Sequence, residues 1–331
     1  MKIKEIIGID VSKSTVDVFI YSTKDKALFE NTLKGLKALI EWVFSKSPHS
    51  RGETFFVYEH TGLYAEHLTN VLSKGQLYYS AVSGLQIKKS LGIARGKDDS
   101  VDARRIALYG YRLREELEAD PPVDMAIKKL GTLSTLRKRI VRERAGYLGS
   151  LKEQKRILSA KDYQFVFSVQ SRIIKMLGKE IGAIESEIKA IIDQDMELKK
   201  LYGLILSVKG VGPVTAVSLI VHTHGFRKFS TWRKFASYCG IAPFPYRSGS
   251  SIRGRTKVSN LANKEIKTLL NMCALSAIKH SPEMKLYYER RTGMGKHKMS
   301  TINIIRNKLV ARIFAVVNRG TEYVDVLKYA C

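Results

Sequence analysis

The chain has 331 residues, of which 44% are hydrophobic, and it carries a formal net charge of +26 at pH 7. This length predicts two or three domains with real hydrophobic cores, and the apolar runs fall far short of the roughly 20 residues that a membrane span requires. The three cysteines, Cys239, Cys273 and Cys331, show neither a disulfide framework nor a metal-ligand spacing. With no signal-peptide pattern before the first apolar run, we expect a cytoplasmic protein with no membrane partner.

The positive charge is concentrated in the last third of the chain. Residues 1–122 contain 18 lysines and arginines against 16 acidic residues, whereas residues 201–331 contain 22 against five. No acidic residue occurs between Glu197 and Glu265. A surface that only keeps a protein soluble usually mixes both signs of charge, so this imbalance predicts a surface that binds a polyanion.

The first 122 residues alternate between strand and helix patterns, and Asp120-Pro121-Pro122 marks the end of this region. The order of the predicted elements is that of a ribonuclease-H-like (RuvC-like) α/β domain. In chain order, hydrophobic periodicity predicts a β-hairpin at 3–22, a strand at 27–31, a helix at 33–44, a strand at 55–58, a helix at 63–72, a strand at 77–82 and a helix at 100–117.

Residues 123–198 are predicted to form a helical coiled-coil arm. An a/d heptad pattern predicts two long antiparallel helices, at roughly 124–158 and 161–197. Such an arm either packs only on itself or also pairs with a second subunit, and the sequence leaves both open. The seam residues, spaced alternately three and four apart, are Ile174, Leu177, Ile181, Ile184, Ile188 and Ile191.

Residues 199–331 are predicted to form a basic, mostly helical domain. Residues 208–215 resemble the hairpin of a helix-hairpin-helix element, in which backbone N–H groups beside Gly210 and Gly212 approach a phosphate. Lys209 would add a cation there, although a plain corner between two packed helices explains the same pattern. A loop rich in proline, glycine, serine and arginine is expected at 243–255, with helices from residue 260 onwards.

Four acidic residues have the placement of catalytic carboxylates. Asp10 and Glu59 each end a strand pattern, whereas Asp99 and Asp102 lie three apart at the head of a predicted helix and so share one face. Carboxylate clusters of this kind bind Mg²⁺. The alternative is that these acids cap helices or interact with helix dipoles, and Asp98 competes with Asp99 for the role.

The 243–255 loop also offers a candidate nucleophile. A serine among cations could attack a phosphodiester while the cations stabilise the charge that develops on phosphorus. The alternative is that serines in a glycine-rich loop only form turns. The candidate serines are Ser248, Ser250 and Ser251, and the cations around them are Arg247, Arg253, Arg255 and Lys257.

Taken in order, these motifs resemble the DEDD-type insertion-sequence transposases related to the pilin-gene invertase, whose mobile-element members are bridge-RNA-guided DNA recombinases. Two departures from the family pattern stand out: Asp98 replaces a usual threonine, and Ser250-Ser251 replaces a usual Gly-Lys pair. The matching segments are 8–13 (GIDVSK), 59–62 (EHTG), 97–103 (KDDSVDA), 210–213 (GVGP), 240–243 (GIAP) and 248–249 (SG), followed by Lys257.

The resemblance implies a specific chemistry. Asp10, Glu59, Asp99 and Asp102 would bind Mg²⁺, as two ions, with Mn²⁺ as an alternative, and Ser248 would form a covalent phosphoserine link to DNA. The family's members act as homo-oligomers, here a dimer or a tetramer, in which the serine domain of one subunit meets the metal domain of another. It also implies double-stranded donor and target DNA, a structured noncoding guide RNA and a prokaryotic, nucleoid-associated location.

Three other functions remain compatible with the residues. A hydrolytic nuclease resembling a junction resolvase would use the four acids and water alone. A protein-only DNA invertase would use the serine without a guide RNA. A non-catalytic nucleic-acid-binding protein would use the basic surface and tolerate the loss of Asp10.

Overall fold

A computed structural model of the chain describes residues 3–90, 99–248 and 252–325. For residues 99–101, 246–248, 252–253 and 255 it describes the backbone alone. The candidate residues Asp98, Ser250 and Ser251 therefore lie outside the description. The chain divides into two compact units, Met1–Val123 and Asp124–Cys331.

The N-terminal unit is built on a five-stranded mixed sheet. Its strand order is β3-β2-β1-β4-β5. The first three strands are antiparallel neighbours, whereas β4 and β5 run parallel to β1. The strands are β1 Glu5–Val11, β2 Thr15–Ile20, β3 Lys26–Glu30, β4 Thr54–Glu59 and β5 Tyr78–Val82. The mixed α/β architecture predicted for this region is confirmed.

Helices cover both faces of this sheet. Because successive side chains of a strand point to opposite faces, β1 contributes Ile7 and Ile9 to a core shared with α1 and α2. Its other face contributes Ile6 to a second core, shared with Ile106 of α4. The helices are α1 Leu33–Lys46, α2 Glu66–Lys74, α3 Gly84–Ser90 and α4 Asp99–Arg112.

Helix α4 lies directly against β1 at Gly8. A Cβ atom on this glycine would stand 2.3 Å from the carbonyl oxygen of Ala103 and 2.4 Å from the backbone nitrogen of Ala107. These neighbours are backbone atoms and cannot move away as a side-chain tip can. The contact therefore depends on the absence of a side chain at position 8.

A buried carboxylate, which the sequence pattern did not single out, anchors the start of β1. Glu5 is fully buried, and its Oε1 accepts hydrogen bonds of 3.1 Å from the backbone N–H groups of Ile6 and Ser22. Its Oε2 accepts from the hydroxyls of Ser22 and Ser47. These bonds connect the first strand to the ends of β2 and α1 and offset the cost of burying the charge.

The C-terminal unit is mostly helical, as predicted. Its elements are α5 Met125–Ile157, α6 Gln164–Gln194, α7 Met196–Ser207, α8 Pro213–Thr223, α9 Trp232–Tyr238, β6 Pro243–Ser248, β7 Ile252–Val258, α10 Lys264–His280, α11 Pro282–Gly293 and α12 Lys298–Arg319. Within the described ranges, none of the helices combines the length and the apolar character that crossing a bilayer requires.

Helices α5 and α6 form a long antiparallel hairpin. Arg137 pairs with Glu185 at 2.6 Å, and the Gln170 amide donates to Gln154 at 2.7 Å. At the other end of the hairpin, Ile127 and residues of α6 belong to the same core as helices α7 to α12. The treatment of 123–198 as a separate coiled-coil arm, and of 199–331 as a third domain, stays a prediction.

The expectation of an irregular loop at 243–255 is wrong for the residues that the structure describes. Strands β6 and β7 pair antiparallel from Pro243 opposite Val258 to Ser248 opposite Ile252, with a bulge between Phe244 and Tyr246. Among the residues that the structure describes this sheet has only two strands, so its prolines can occupy positions where no ladder donor is needed. Because proline and glycine are rare in strands, the sequence of this segment predicted a loop instead.

We predict that Gly8→Ala destabilises the N-terminal unit by about 1–3 kcal/mol, since the added methyl forces α4 away from β1. The midpoint of urea unfolding should be followed by Trp42 fluorescence in a Trp232→Phe background. Gly52→Ala is the matched control, because a Cβ there meets nothing within 4 Å. An unchanged midpoint for Gly8→Ala would contradict the close contact.

Candidate active site

Asp10 and Glu59 lie side by side at one edge of the sheet. In the parallel register Ile9 is opposite Tyr58, so the next residues of the two strands are Asp10 and Glu59. Neighbouring strands lie about 4.8 Å apart. Val57 of β4 belongs to the core on the α4 side of the sheet, and by the period of two both acids point to this face.

The register between α4 and β1 brings the start of α4 to the same place. Gly110 lies against Ile6, and Gly8 lies against both Ala103 and Ala107, so α4 runs opposite to β1. Two strand residues span about 6.6 Å, which corresponds to between four and five helical residues. The first turn of α4, Asp99–Asp102, is therefore level with Asp10.

Asp102 is a partly exposed acid with a cationic neighbour. Its Oδ1 accepts from Nη1 of Arg105 at 3.1 Å, one helical turn further on. An ion pair with this exposure contributes little to stability, so the carboxylate can exchange this partner for another cation. The side chain of Asp99 lies outside the described atoms.

A fifth acid, Asp17, shares this face of the sheet and was missed in the sequence. It lies directly opposite Asp10 in the antiparallel pair of β1 and β2, and opposite residues of such a pair project to the same side. The signal was present, because the predicted hairpin at 3–22 already placed residue 17 beside residue 10. Asp17 would add negative potential next to Asp10.

Gly84 makes room for the carboxylate of Glu59. A Cβ atom at Gly84 would stand 2.1 Å from Oε1 and 3.0 Å from Oε2 of Glu59. Gly84 begins α3 two residues after Val82, which lies opposite Glu59 in the β4–β5 pair. His60 is exposed and accepts a bond of 3.4 Å from the backbone of Gly62, so it lies at the edge of this cluster.

The donor set of this cluster suits a hard divalent cation. Carboxylate oxygens are the protein ligands that Mg²⁺ and Mn²⁺ prefer. The absence of a side chain at Gly84 leaves room for one such carboxylate, that of Glu59. Among the side chains that the structure describes, no three acidic, histidine or cysteine groups come together as a metal site. Asp99, whose side chain is not described, would have to complete such a site.

In the C-terminal unit, a tight turn between α7 and α8 carries Lys209, Gly210 and Gly212. Gly210 has a φ of +95°, and a Cβ there would stand 2.7 Å from Cβ of Ala277, so only glycine fits. Lys209 donates to Asp325 at 2.6 Å and is therefore held in place by a buried carboxylate.

This turn borders an open cleft of about 350 Å³, which is lined by Lys209, Gly210, Val211, Gly212, Ser276 and His280. Gly212 has free space around it and directly precedes the N-terminus of α8. Backbone N–H groups at such a terminus favour an anion. Phosphate binding by this turn stays a prediction, and Lys209 already pairs with Asp325.

The β6–β7 hairpin places cations opposite one another. Ser248 is the last residue of β6, and Arg247 lies opposite Arg253 in the register. Arg255 and the exposed Lys257 follow on β7.

The two cysteines of this unit that the structure describes are poor competitors for the role of nucleophile. Cys239 and Cys273 are both buried. Burial raises the pKa of each thiol above its usual range, because the thiolate would lose its solvation. A thiol that stays protonated at neutral pH attacks phosphorus or carbon poorly.

Comparison with protein families gives two matches along the chain. Residues 7–156 match the family of IS110 DEDD transposases. Residues 202–289 match the transposase IS116/IS110/IS902 family. Together the two matches include every candidate residue of the carboxylate cluster and of the β6–β7 hairpin.

Individual relatives match the same regions. A pilin gene-inverting protein of Moraxella bovis is 28% identical over 330 residues, which cover 97% of this chain and 98% of that protein. An uncharacterized 43.6 kDa protein of insertion element IS110 from Streptomyces coelicolor is 30% identical over 155 residues, covering 46% of this chain and 38% of that protein.

We predict that Gly84→Ala weakens the binding of Mn²⁺ by about tenfold or more, because the methyl group displaces a carboxylate that would hold the ion. Calorimetric titration of the full chain with Mn²⁺ measures the change. Gly146→Ala, at an open position in α5, should bind as the wild type does. Equal affinities for the two variants would show that Glu59 plays no part in metal binding.

Proposed function

Because the chain belongs to the IS110 family of DEDD transposases, which is related to the pilin gene-inverting proteins, we propose that it is a DNA recombinase of an insertion sequence. It cuts and rejoins DNA strands during transposition. The observation that carries the proposal is the placement of Asp10 and Glu59 on adjacent strand ends, level with the first turn of α4. Metal ions held at that edge would meet a nucleic-acid phosphate there.

In this proposal Asp10, Glu59, Asp99 and Asp102 hold two Mg²⁺ ions, with Mn²⁺ as a substitute. When bound, these ions would supply positive charge beside the scissile phosphate and the leaving oxygen. The sheet order and the α4 packing support a ribonuclease-H-like, or RuvC-like, arrangement of this unit. Asp17 lies beside Asp10 and strengthens the negative potential that attracts the cations.

The nucleophile of the proposal is Ser248. Its hydroxyl loses a proton to a base, its Oγ bonds to phosphorus, and the bond from phosphorus to the 3′-oxygen breaks. The leaving 3′-oxygen takes up the proton from that base, so that a phosphoserine link and a free 3′-hydroxyl result. The reverse reaction, with a different 3′-hydroxyl, rejoins DNA and frees the serine. Arg247, Arg253 and Arg255 neutralise charge on the phosphoryl group. In the backbone register Arg247 lies opposite Arg253, one pair along from Ser248, which supports a cationic hairpin near the nucleophile.

The C-terminal unit supplies sequence-independent contacts. Its last 131 residues hold 22 lysines and arginines against five acids, a composition suited to phosphate backbones. Lys209, Gly210 and Gly212 would contact one phosphate at the turn before α8, and Lys257 another beside the hairpin. Double-stranded donor and target DNA are the substrates, and the protein acts as a homo-oligomer, a dimer or a tetramer.

A structured noncoding RNA would select the sites. Base pairing with such a guide supplies the sequence information, which leaves backbone contacts to the protein. The second candidate is a protein-only DNA invertase, which the match to pilin gene-inverting proteins over nearly the whole chain favours. Sequencing of the RNA that co-purifies distinguishes them: a single discrete species supports guidance, and random cellular RNA supports the invertase.

We predict that incubation with Mg²⁺ and a plasmid carrying the gene and its flanking DNA traps a covalent protein–DNA adduct. The adduct should survive denaturation, map to Ser248 by mass spectrometry, and be lost in Ser248→Ala because no other group in that position can bond to phosphorus. Ser250→Ala and Ser251→Ala are the matched controls and should retain it.

Two outcomes would contradict the assignment of Ser248 as the nucleophile. Cleavage without any adduct in the wild type would mean that water is the nucleophile and that the protein is a hydrolytic nuclease. An adduct that persists in Ser248→Ala and disappears in Ser250→Ala or Ser251→Ala would move the nucleophile along the same hairpin.

A further inference from the structure

The root of the β6–β7 hairpin, which is the backbone at Gly240 and Ile241 just before β6, is held by two asparagines of α12. The backbone oxygen of the fully buried Ile241 accepts from Nδ2 of Asn303 at 2.9 Å and from Nδ2 of Asn307 at 3.0 Å. The two asparagines are four residues apart and therefore share one helix face. A carbonyl oxygen has two lone pairs, and both are used here.

A buried arginine orients one member of this pair, Asn303. Arg306 is only 5% exposed. Its Nη1 donates to Oδ1 of Asn303 at 3.5 Å, and its Nη2 donates to Oδ1 of Asn271 on α10 at 2.7 Å. Because Arg306 can only donate, the oxygen of Asn303 must face it, which turns the amide nitrogen toward Ile241. Asn307 is held in a similar way, since its Nδ2 also donates to the backbone oxygen of Asn303 at 2.9 Å.

The backbone around Ile241 has little freedom. The N–H of Ile241 donates to the carbonyl of Ala236 at 3.0 Å. Gly240 has a φ of +64°, and a Cβ there would stand 2.2 Å from Cβ of Ala262. By contrast, Phe244 and Lys257 further along the hairpin are exposed. The strands therefore depend on their root for their direction.

We propose that Asn303, oriented by Arg306, and its neighbour Asn307 are positioning residues that aim the hairpin carrying Ser248. This inference rests on the proposed function, in which Ser248 is the nucleophile. From Pro243 to Ser248 the strand spans about 17 Å. A tilt of about 5° at the root moves the tip by about 1.5 Å, and a misplacement of about 1 Å can cost about 100-fold in rate.

A purely structural role would give a different pattern. The core contacts of α12 come from an apolar stripe that includes Ile302, Ile305 and Leu309. The asparagines lie beside this stripe and are partly buried. Their loss should therefore affect the direction of the hairpin more than the stability of the helix.

Asn303→Asp is the sharpest test, because the shape and the oxygen that faces Arg306 are kept while the donor to Ile241 is lost. We expect the variant to melt no earlier than the wild type. We expect adduct formation at Ser248 to slow at least tenfold while the Kd for DNA changes less than twofold. Hydrogen exchange of the backbone amides of 243–258 should become faster, with α10 unchanged.

Asn307→Ala should act in the same direction, and Asn318→Ala is the control, since Asn318 is exposed near the end of the same helix. Wild-type exchange and wild-type adduct formation in both Asn303→Asp and Asn307→Ala would overturn the proposal. Hydrogen exchange measures the mobility of the hairpin backbone even if the wild type forms no adduct. Failure of the serine chemistry can therefore be distinguished from failure of the positioning role.

Discussion

The close contact between α4 and β1 at Gly8 is the constraint on which the candidate active site depends. Because no side chain separates them, the helix backbone lies within touching distance of the strand. This contact fixes both the height and the direction of α4. Its first turn is thereby level with the strand ends that carry Asp10 and Glu59. Residues from distant parts of the sequence then share one edge of the sheet.

Much of this arrangement could be predicted from the sequence. The strand patterns ending at Asp10 and Glu59 imply that both acids meet at one edge of a parallel pair, and the i, i+3 spacing gives Asp99 and Asp102 a common helix face. The role of Gly84 could not be foreseen, because it arises from contact between the β4 end and the start of α3. The side chain of Asp99 lies outside the described atoms, so its part in the cluster stays a prediction.

The C-terminal unit shows where local patterns fail. Prolines and glycines at 243–255 indicated a loop, yet the described residues of this segment pair as two strands. The backbone just before it, at Ile241, is held by Asn303 and Asn307, which are 62 and 66 residues away in the sequence. Hydrophobic periodicity identifies such asparagines only as polar positions on a helix and does not predict their hydrogen-bond partners. The long-range hydrogen bonds at the start of this hairpin are therefore visible only in three dimensions.

The most direct test of the central claim is a calorimetric titration with Mn²⁺ of the wild type and of Asp10→Asn, Glu59→Gln, Asp99→Asn and Asp102→Asn. If the four carboxylates share the ions, each substitution should weaken binding by about tenfold or more. Glu41→Gln, at an exposed position of α1, should leave it unchanged. Wild-type affinity in any of the four variants would contradict a common metal site.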